Sequence, residues 1–191
     1  MKTFQLAGAV RTETGKKAGK ALRKADLIPA VMYGGEEVIQ FTVTTDSVRK
    51  LIYTPEVYIV ELTIGEKTTM AIVKELQFHP VSDILLHVDF LEVFADKPVV
   101  IEIPVALEGH SEGVKAGGRL SLEMRKLKVK ALYSTLPEKL MVNIDHLELG
   151  KTIQVGSLSF DGLEILNAKN AVVCAVKLTR AARGAAAAAK A

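Results

Sequence analysis

Apolar and polar residues alternate with a period of two along most of the chain, the pattern of half-buried β-strands. In Thr3–Arg11, Phe4, Leu6 and Val10 share one face, with Gly8 between them. Ile28–Tyr33 and Val38–Val43 flank Gly34-Gly35 and predict a β-hairpin. A second hairpin is predicted from Val57–Ile64 and Thr68–Gln77 around Gly65-Glu66-Lys67, and Ile84–Val93 adds another alternating strand. Two segments break the period. Thr44-Thr45-Asp46 supplies capping side chains before Val48, Leu51 and Ile52, the spacing of a short amphipathic helix. Lys16–Asp26 lacks clean alternation and holds good helix formers, so a short helix or ordered loop is expected there. It ends before Pro29, which disfavours helix at Ile28.

Phe94–Pro98 reads as a boundary. Beyond it, strands are predicted at Val99–Leu107, Leu120–Leu132, Lys139–Ile144, Thr152–Val155, Glu164–Leu166 and Ala171–Leu178, with the glycine-bearing Gly109–Arg119 expected as a mobile loop. The expected fold class is mainly β with short helices. It divides into one β domain over 1–93, a second over 98–178, and an alanine-rich basic tail over 179–191. The tail has no apolar face to pack and is expected to be disordered.

Composition narrows the class. Of 191 residues, 49% are hydrophobic and 25% charged, the balance of a folded soluble protein. One cysteine, Cys174, excludes an intramolecular disulfide framework and a multi-thiol metal site, and its apolar run predicts a small core residue. The apolar runs are short, and Pro98–Leu107 carries Glu102 in its middle, so no membrane span is expected. Met1–Gln5 lacks the apolar stretch of a signal peptide, which makes a cytoplasmic location the expectation.

The net charge of +3 conceals a strong segregation. Residues 1–35 hold seven basic and two acidic residues (+5), residues 36–178 hold fifteen and twenty (−5), and residues 179–191 hold three basic and no acidic residues (+3). Six of the seven early cations fall between Arg11 and Lys24. Such a cluster points to a polyanion, with nucleic acid the first candidate and a solvated basic loop the alternative.

Little else carries chemistry. No glycine-rich phosphate loop occurs, so no nucleotide cofactor is indicated, and the four histidines lack zinc-ligand spacing. Gly109-His110-Ser111-Glu112-Gly113 matches the nucleophile-elbow pattern, which keeps a serine hydrolase using Ser111 as an alternative. The glycines in Val114–Arg119 make a poor helix to follow it. Within Ile84–Leu91, alternation places Leu85, His87, Asp89 and Leu91 on one face and Ile84, Leu86, Val88 and Phe90 on the other. In a nucleic-acid site Asp89 would repel phosphate, so its task there would be to accept from base amino groups or orient a cation. Otherwise the pair is the wet face of an edge strand.

Arg11–Gly35, Gln77-Phe78-His79-Pro80 and Leu86-His87-Val88-Asp89-Phe90 together resemble a bacterial large-subunit ribosomal protein family. It is the family that binds 5S rRNA, called general stress protein CTC in its long two-domain form. The resemblance covers essentially the whole chain, more loosely after Pro98. It implies an N-terminal β-barrel docking on the loop E region of 5S rRNA, followed by a second β domain. It also implies RNA contacts from Arg11, Lys16, Lys20 and Arg23, from Tyr33, and from His87 and Asp89, with Gly34 and Gly35 permitting close backbone approach. The chain departs from the family at Ala21 and Phe78, where arginine is common. A non-enzymatic constituent of the large ribosomal subunit is thus expected, in contact with 5S rRNA and neighbouring ribosomal proteins. No cofactor, small-molecule substrate or membrane is expected to take part. Another structured RNA such as tRNA is the alternative ligand.

Overall fold

The computed structural model describes residues 2–180. In chain order the first part runs β1 (Lys2–Val10), α1 (Lys16–Lys24), β2 (Leu27–Tyr33), β3 (Ile39–Thr44), α2 (Thr45–Ile52), β4 (Tyr58–Ile64), β5 (Lys67–Phe78) and β6 (Leu85–Glu92). These six strands close into a barrel in the order β1-β3-β2-β6-β5-β4. Closure rests on two parallel pairings, β1 with β4 (Lys2↔Tyr58 to Gly8↔Ile64) and β2 with β6 (Ala30↔Val88 to Tyr33↔Leu91). The predicted alternation supplies the interior: Leu6, Ile28, Ala30, Met32, Phe41, Val43, Val60, Leu62, Val88 and Phe90 are all buried. α2 adds Val48 and Leu51 to the same core.

Phe41 and Phe90 meet inside the barrel, with ring centroids 5.7 Å apart. Gly8 makes room for them, because a Cβ there would stand 2.6 Å from Phe41 Cδ2. Gly8→Ala is therefore expected to cost about 1–3 kcal/mol by overpacking, read as a lowered midpoint in urea at unchanged slope.

The β5–β6 pairing carries two bulges. Val73↔Phe90 is followed by Glu75↔Asp89, leaving Lys74 as an extra residue on β5. Gln77↔His87 is followed by Phe78↔Leu85, leaving Leu86 as an extra residue on β6. The second bulge corrects the strict alternation expected for Ile84–Leu91. Leu85 turns into the core with Val88 and Phe90, while Leu86 is only partly buried.

The later strands are β7 (Val99–Glu108), β8 (Arg119–Leu122), β9 (Lys126–Ala131), β10 (Leu140–Asn143), β11 (Thr152–Gln154), β12 (Glu164–Ile165) and β13 (Val172–Lys177), with α3 (Glu112–Lys115) between β7 and β8. They form a four-stranded sheet, β10-β7-β9-β12, and a three-stranded sheet, β11-β13-β8. The single strand expected over Leu120–Leu132 is two strands in different sheets. At Glu123–Arg125 the chain changes partner: the amides of Glu123 and Met124 bond the Val173 carbonyl, and Arg125 accepts from Val105. Cys174 is fully buried beside Ile144, Leu147 and Val176, the core position expected of it. Compactness separates the chain into one unit up to Val99 together with Leu132–Ser134, and another of Val100–Ala131 and the residues from Thr135 on. Thr179 Oγ1 donates to the Gly117 carbonyl at 2.7 Å, while the disorder expected for the tail falls, from residue 181 on, outside the described residues.

Gly109–Arg119 is not the loose loop its glycines suggested. Ser111 is buried and caps α3, its Oγ accepting from Val114 N (3.4 Å) and donating to the Leu147 carbonyl (2.5 Å). Gly113 N bonds the same carbonyl at 2.9 Å, and His110 N bonds Asp145 Oδ1 at 2.7 Å. That amide bond, with a hydrogen bond to Asn143, holds the Asp145 carboxyl below its usual range. A serine whose hydroxyl is buried and committed to a carbonyl is a helix cap, not a nucleophile.

Candidate nucleic-acid interface

The basic segment folds as α1. Its inner side is Ala18, Gly19 and Leu22, small enough to lie close against the barrel, and Gly19 is buried. The five cations Lys16, Lys17, Lys20, Arg23 and Lys24 are all exposed. Among the described residues, no carboxylate lies within ion-pair distance of the four lysines. An unneutralised row of this kind on one short helix does not serve stability, since like charges one turn apart repel, and it suits a polyanion.

Arg23 ties the helix to the sheet. Its Nε donates to the Leu86 carbonyl at 3.1 Å, and its guanidinium lies over Gly19, with Nη1 3.6 Å from where a Cβ would stand. The Leu86 bulge makes that carbonyl available by lifting it out of the ladder. The terminal guanidinium nitrogens are then held in place by the fold, ready to bind an anion in bidentate fashion. Arg11 is anchored separately, its amide bonding Gln40 O (3.0 Å) and its Nε bonding Glu13 O (2.6 Å).

Next to α1, the outer faces of β2, β6 and β5 carry the remaining expected contacts. Because Ile28, Ala30 and Met32 point inward, Val31 and Tyr33 point outward. Register sets Val31 and Glu75 on either side of Asp89, and Gln77 beside His87. His87 Nδ1 and Asp89 Oδ1 are 2.6 Å apart. A carboxylate only accepts, so His87 donates from Nδ1, and Nε2 is left outside that bond. Burial raises the Tyr33 phenol above its ordinary value, and the Asp89 and Glu75 carboxylates push it the same way. The hydroxyl therefore stays a proton donor at neutral pH. A phenol donor, an imidazole and a carboxylate thus stand on one face beside a cationic helix.

Some expectations shift. Gly34 is required by the protein itself, since its φ of 101° favours glycine and a Cβ there would come within 2.7 Å of Leu91 Cδ1. A Cβ on Gly35 would meet only the Glu92 carboxylate, the movable end of a flexible side chain. Ala21 is exposed, leaving a gap among Lys17, Lys20 and Lys24, and Phe78 is 39% exposed at the end of β5. Sequence reasoning gave no role to Glu75 or to the Leu86 carbonyl. Both depend on the bulges at Lys74 and Leu86, which leave no mark in the alternation.

Comparison with known proteins identifies the family. Residues 6–90 match the Ribosomal L25p family, and residues 98–180 match the family described as ribosomal protein TL5, C-terminal domain. Large ribosomal subunit protein bL25 of Parabacteroides distasonis is 65% identical over 97% of this chain and 98% of its own length. The proteins of that name from Porphyromonas gingivalis (66%, covering 97% and 98%) and Bacteroides fragilis (58%, covering 99% of each) are similar over the same extent. Likeness this high, spanning both halves, shows that the chain belongs to the bacterial bL25 family of large ribosomal subunit proteins, in the form that carries the TL5 C-terminal domain.

Proposed function

We propose that this chain is a structural constituent of the large ribosomal subunit that binds 5S rRNA at its loop E region through the N-terminal barrel. The family is non-enzymatic and ribosome-associated, in the bacterial cytoplasm. One observation carries the finer reading: Arg23 clamps a row of unneutralised cations beside the outward His87–Asp89 pair. α1 runs along the phosphates, with Lys16, Lys20 and Arg23 making the contacts and Arg11 anchoring the strand end. Tyr33, His87 and Asp89 face the groove. A helix distorted by non-Watson–Crick pairs opens a minor groove in which hydroxyls and base amino groups meet such acceptors. Asp89 then selects by accepting and discourages any binding mode that would put a phosphate there.

The domain division is proposed as 1–93 for RNA binding and 98–178 as a second β domain, which we assign to contacts with neighbouring ribosomal proteins on the strength of its acidic balance. The experiment titrates the full chain with a loop E fragment and a regular RNA duplex of equal length across a salt series. Tighter binding to loop E is expected at every salt concentration, and equal affinity overturns the assignment. Asp89→Ala is expected to reduce the preference for loop E roughly tenfold while leaving the salt slope unchanged, because a carboxylate releases no counterions from RNA.

A further inference from the structure

The Gln77–Pro80 segment carries part of the family resemblance, yet His79 has no part in the site described above. Its place in the fold gives it one. Residues 79–84 form a tight loop between β5 and β6, closed by His79 N to Ile84 O (2.8 Å) and Asp83 N to His79 O (3.0 Å). The ring completes the closure: Nδ1 accepts from Ser82 N at 3.2 Å and from Val81 N at 3.4 Å. With Nδ1 an acceptor, the ring proton sits on Nε2. His79 thus uses Nδ1 as an acceptor where His87 uses Nδ1 as a donor, and it keeps a donor at Nε2. The side chain is exposed, and Nε2–H has no acceptor among the described residues.

A notch of about 220 Å³ lies against this ring. His79, Ser82, Lys20, Arg23 and Lys24 line it together with the apolar Ile84 and Leu86, and no carboxylate is among its lining residues. The neighbouring groove, about 510 Å³, shares Arg23 and adds Arg49, but three carboxylates, Asp26, Asp46 and Asp83, outnumber them there. Charge therefore separates the two cavities, and an anion belongs in the smaller one. Resting on the reading that α1 faces RNA, we propose that the notch seats a backbone phosphate, held by Lys20, Arg23 and Lys24 on the helix and by His79 Nε2–H on the loop. The Ser82 hydroxyl is the second neutral donor.

The test uses the full chain and the loop E fragment. Asparagine places an acceptor where Nδ1 stands but nothing where Nε2 stands, whereas glutamine reaches the Nε2 position with a donor. His79→Asn is expected to keep the fold and lose roughly tenfold in affinity with an unchanged salt slope, since a neutral donor releases no counterion. His79→Gln is expected to recover part of that loss. Lys24→Gln, an exposed helix position remote from the loop's own bonds, is expected to lower the salt slope by about 0.9. Wild-type affinity for His79→Asn together with a wild-type slope for Lys24→Gln overturns the proposal. If His79→Asn weakens both loop E and the regular duplex and the wild-type chain does not distinguish them, the notch stands and loop E selectivity falls. A retained preference for loop E with no effect at His79 or Lys24 means the reverse.

Discussion

A chain carrying Lys16→Gln, Lys20→Gln and Arg23→Gln is expected to bind the loop E fragment on the order of 10²–10³-fold more weakly in 0.1 M salt. Each cation that neutralises a phosphate contributes about 0.9 to the slope of log affinity against log salt, so three should flatten it by about 2.7. In 0.1 M salt each unit of slope is worth about tenfold, which sets the size of the loss. Glutamine suits the test because its helix propensity is close to that of lysine and arginine. Its amide can also still donate to the Leu86 carbonyl that Arg23 now bonds. The cost to folding should be small, because none of the three side chains is buried. A thermal melt matching the wild type, with the flattened slope, is the expected pair of results. An unchanged slope would mean that α1 does not lie along the phosphates, however basic it is. Loss of the preference for loop E, beyond the loss of affinity, is not expected, because Tyr33, His87 and Asp89 remain.

How far the sequence reached differs between the two halves of the site. The apolar runs locate β2 and β6, and alternation puts His87 and Asp89 on one face of β6. Tyr33 ends a run too uniformly apolar to show a face and came in through the family resemblance alone. The sequence also predicts a helix or ordered loop for the basic segment, whose cations are close in sequence and so close in space. The bond joining the two halves was invisible. Arg23 meets the Leu86 carbonyl across 63 residues, and it does so at a bulge. A bulge adds one residue without altering the composition on either side, so nothing in the hydrophobic pattern announces it. Closure into a barrel was equally hidden from the pattern: the parallel pairings β1–β4 and β2–β6 are long-range, and the family resemblance implied a barrel without naming them. The error at Gly109–Arg119 has a different origin. Two glycines in a row read as freedom, but Gly118 N bonds the Gly113 carbonyl at 2.9 Å, and a Cβ on Gly118 would meet Leu149 and Val176. There glycine marks crowding, and sequence alone does not separate the two causes.

That crowding supplies the sharpest test of the proposed division into two domains. A Cβ on Gly113 would stand 2.6 Å from both Glu148 C and Leu149 N and 2.8 Å from Glu148 O. All three are backbone atoms, with no rotamer that relieves the contact. The turn they belong to is itself pinned, since Gly113 N and Ser111 Oγ both bond the Leu147 carbonyl at its start. Gly113→Ala is therefore expected to cost about 3 kcal/mol, near the top of the range for overpacking a core. For a domain of this size that corresponds to a fall of about 15–20 °C in its unfolding midpoint. If residues 98–178 fold as a unit of their own, calorimetry of the full chain should show one transition moved down and another left in place. Binding of the loop E fragment at 25 °C should match the wild type, since every residue assigned to RNA lies in the barrel. A single transition that falls as a whole, with RNA affinity falling alongside, would show that the two parts fold as one and would retire the division. An unmoved melt would instead mean that the 147–149 turn yields by several tenths of an ångström, against the pinning that its hydrogen bonds describe.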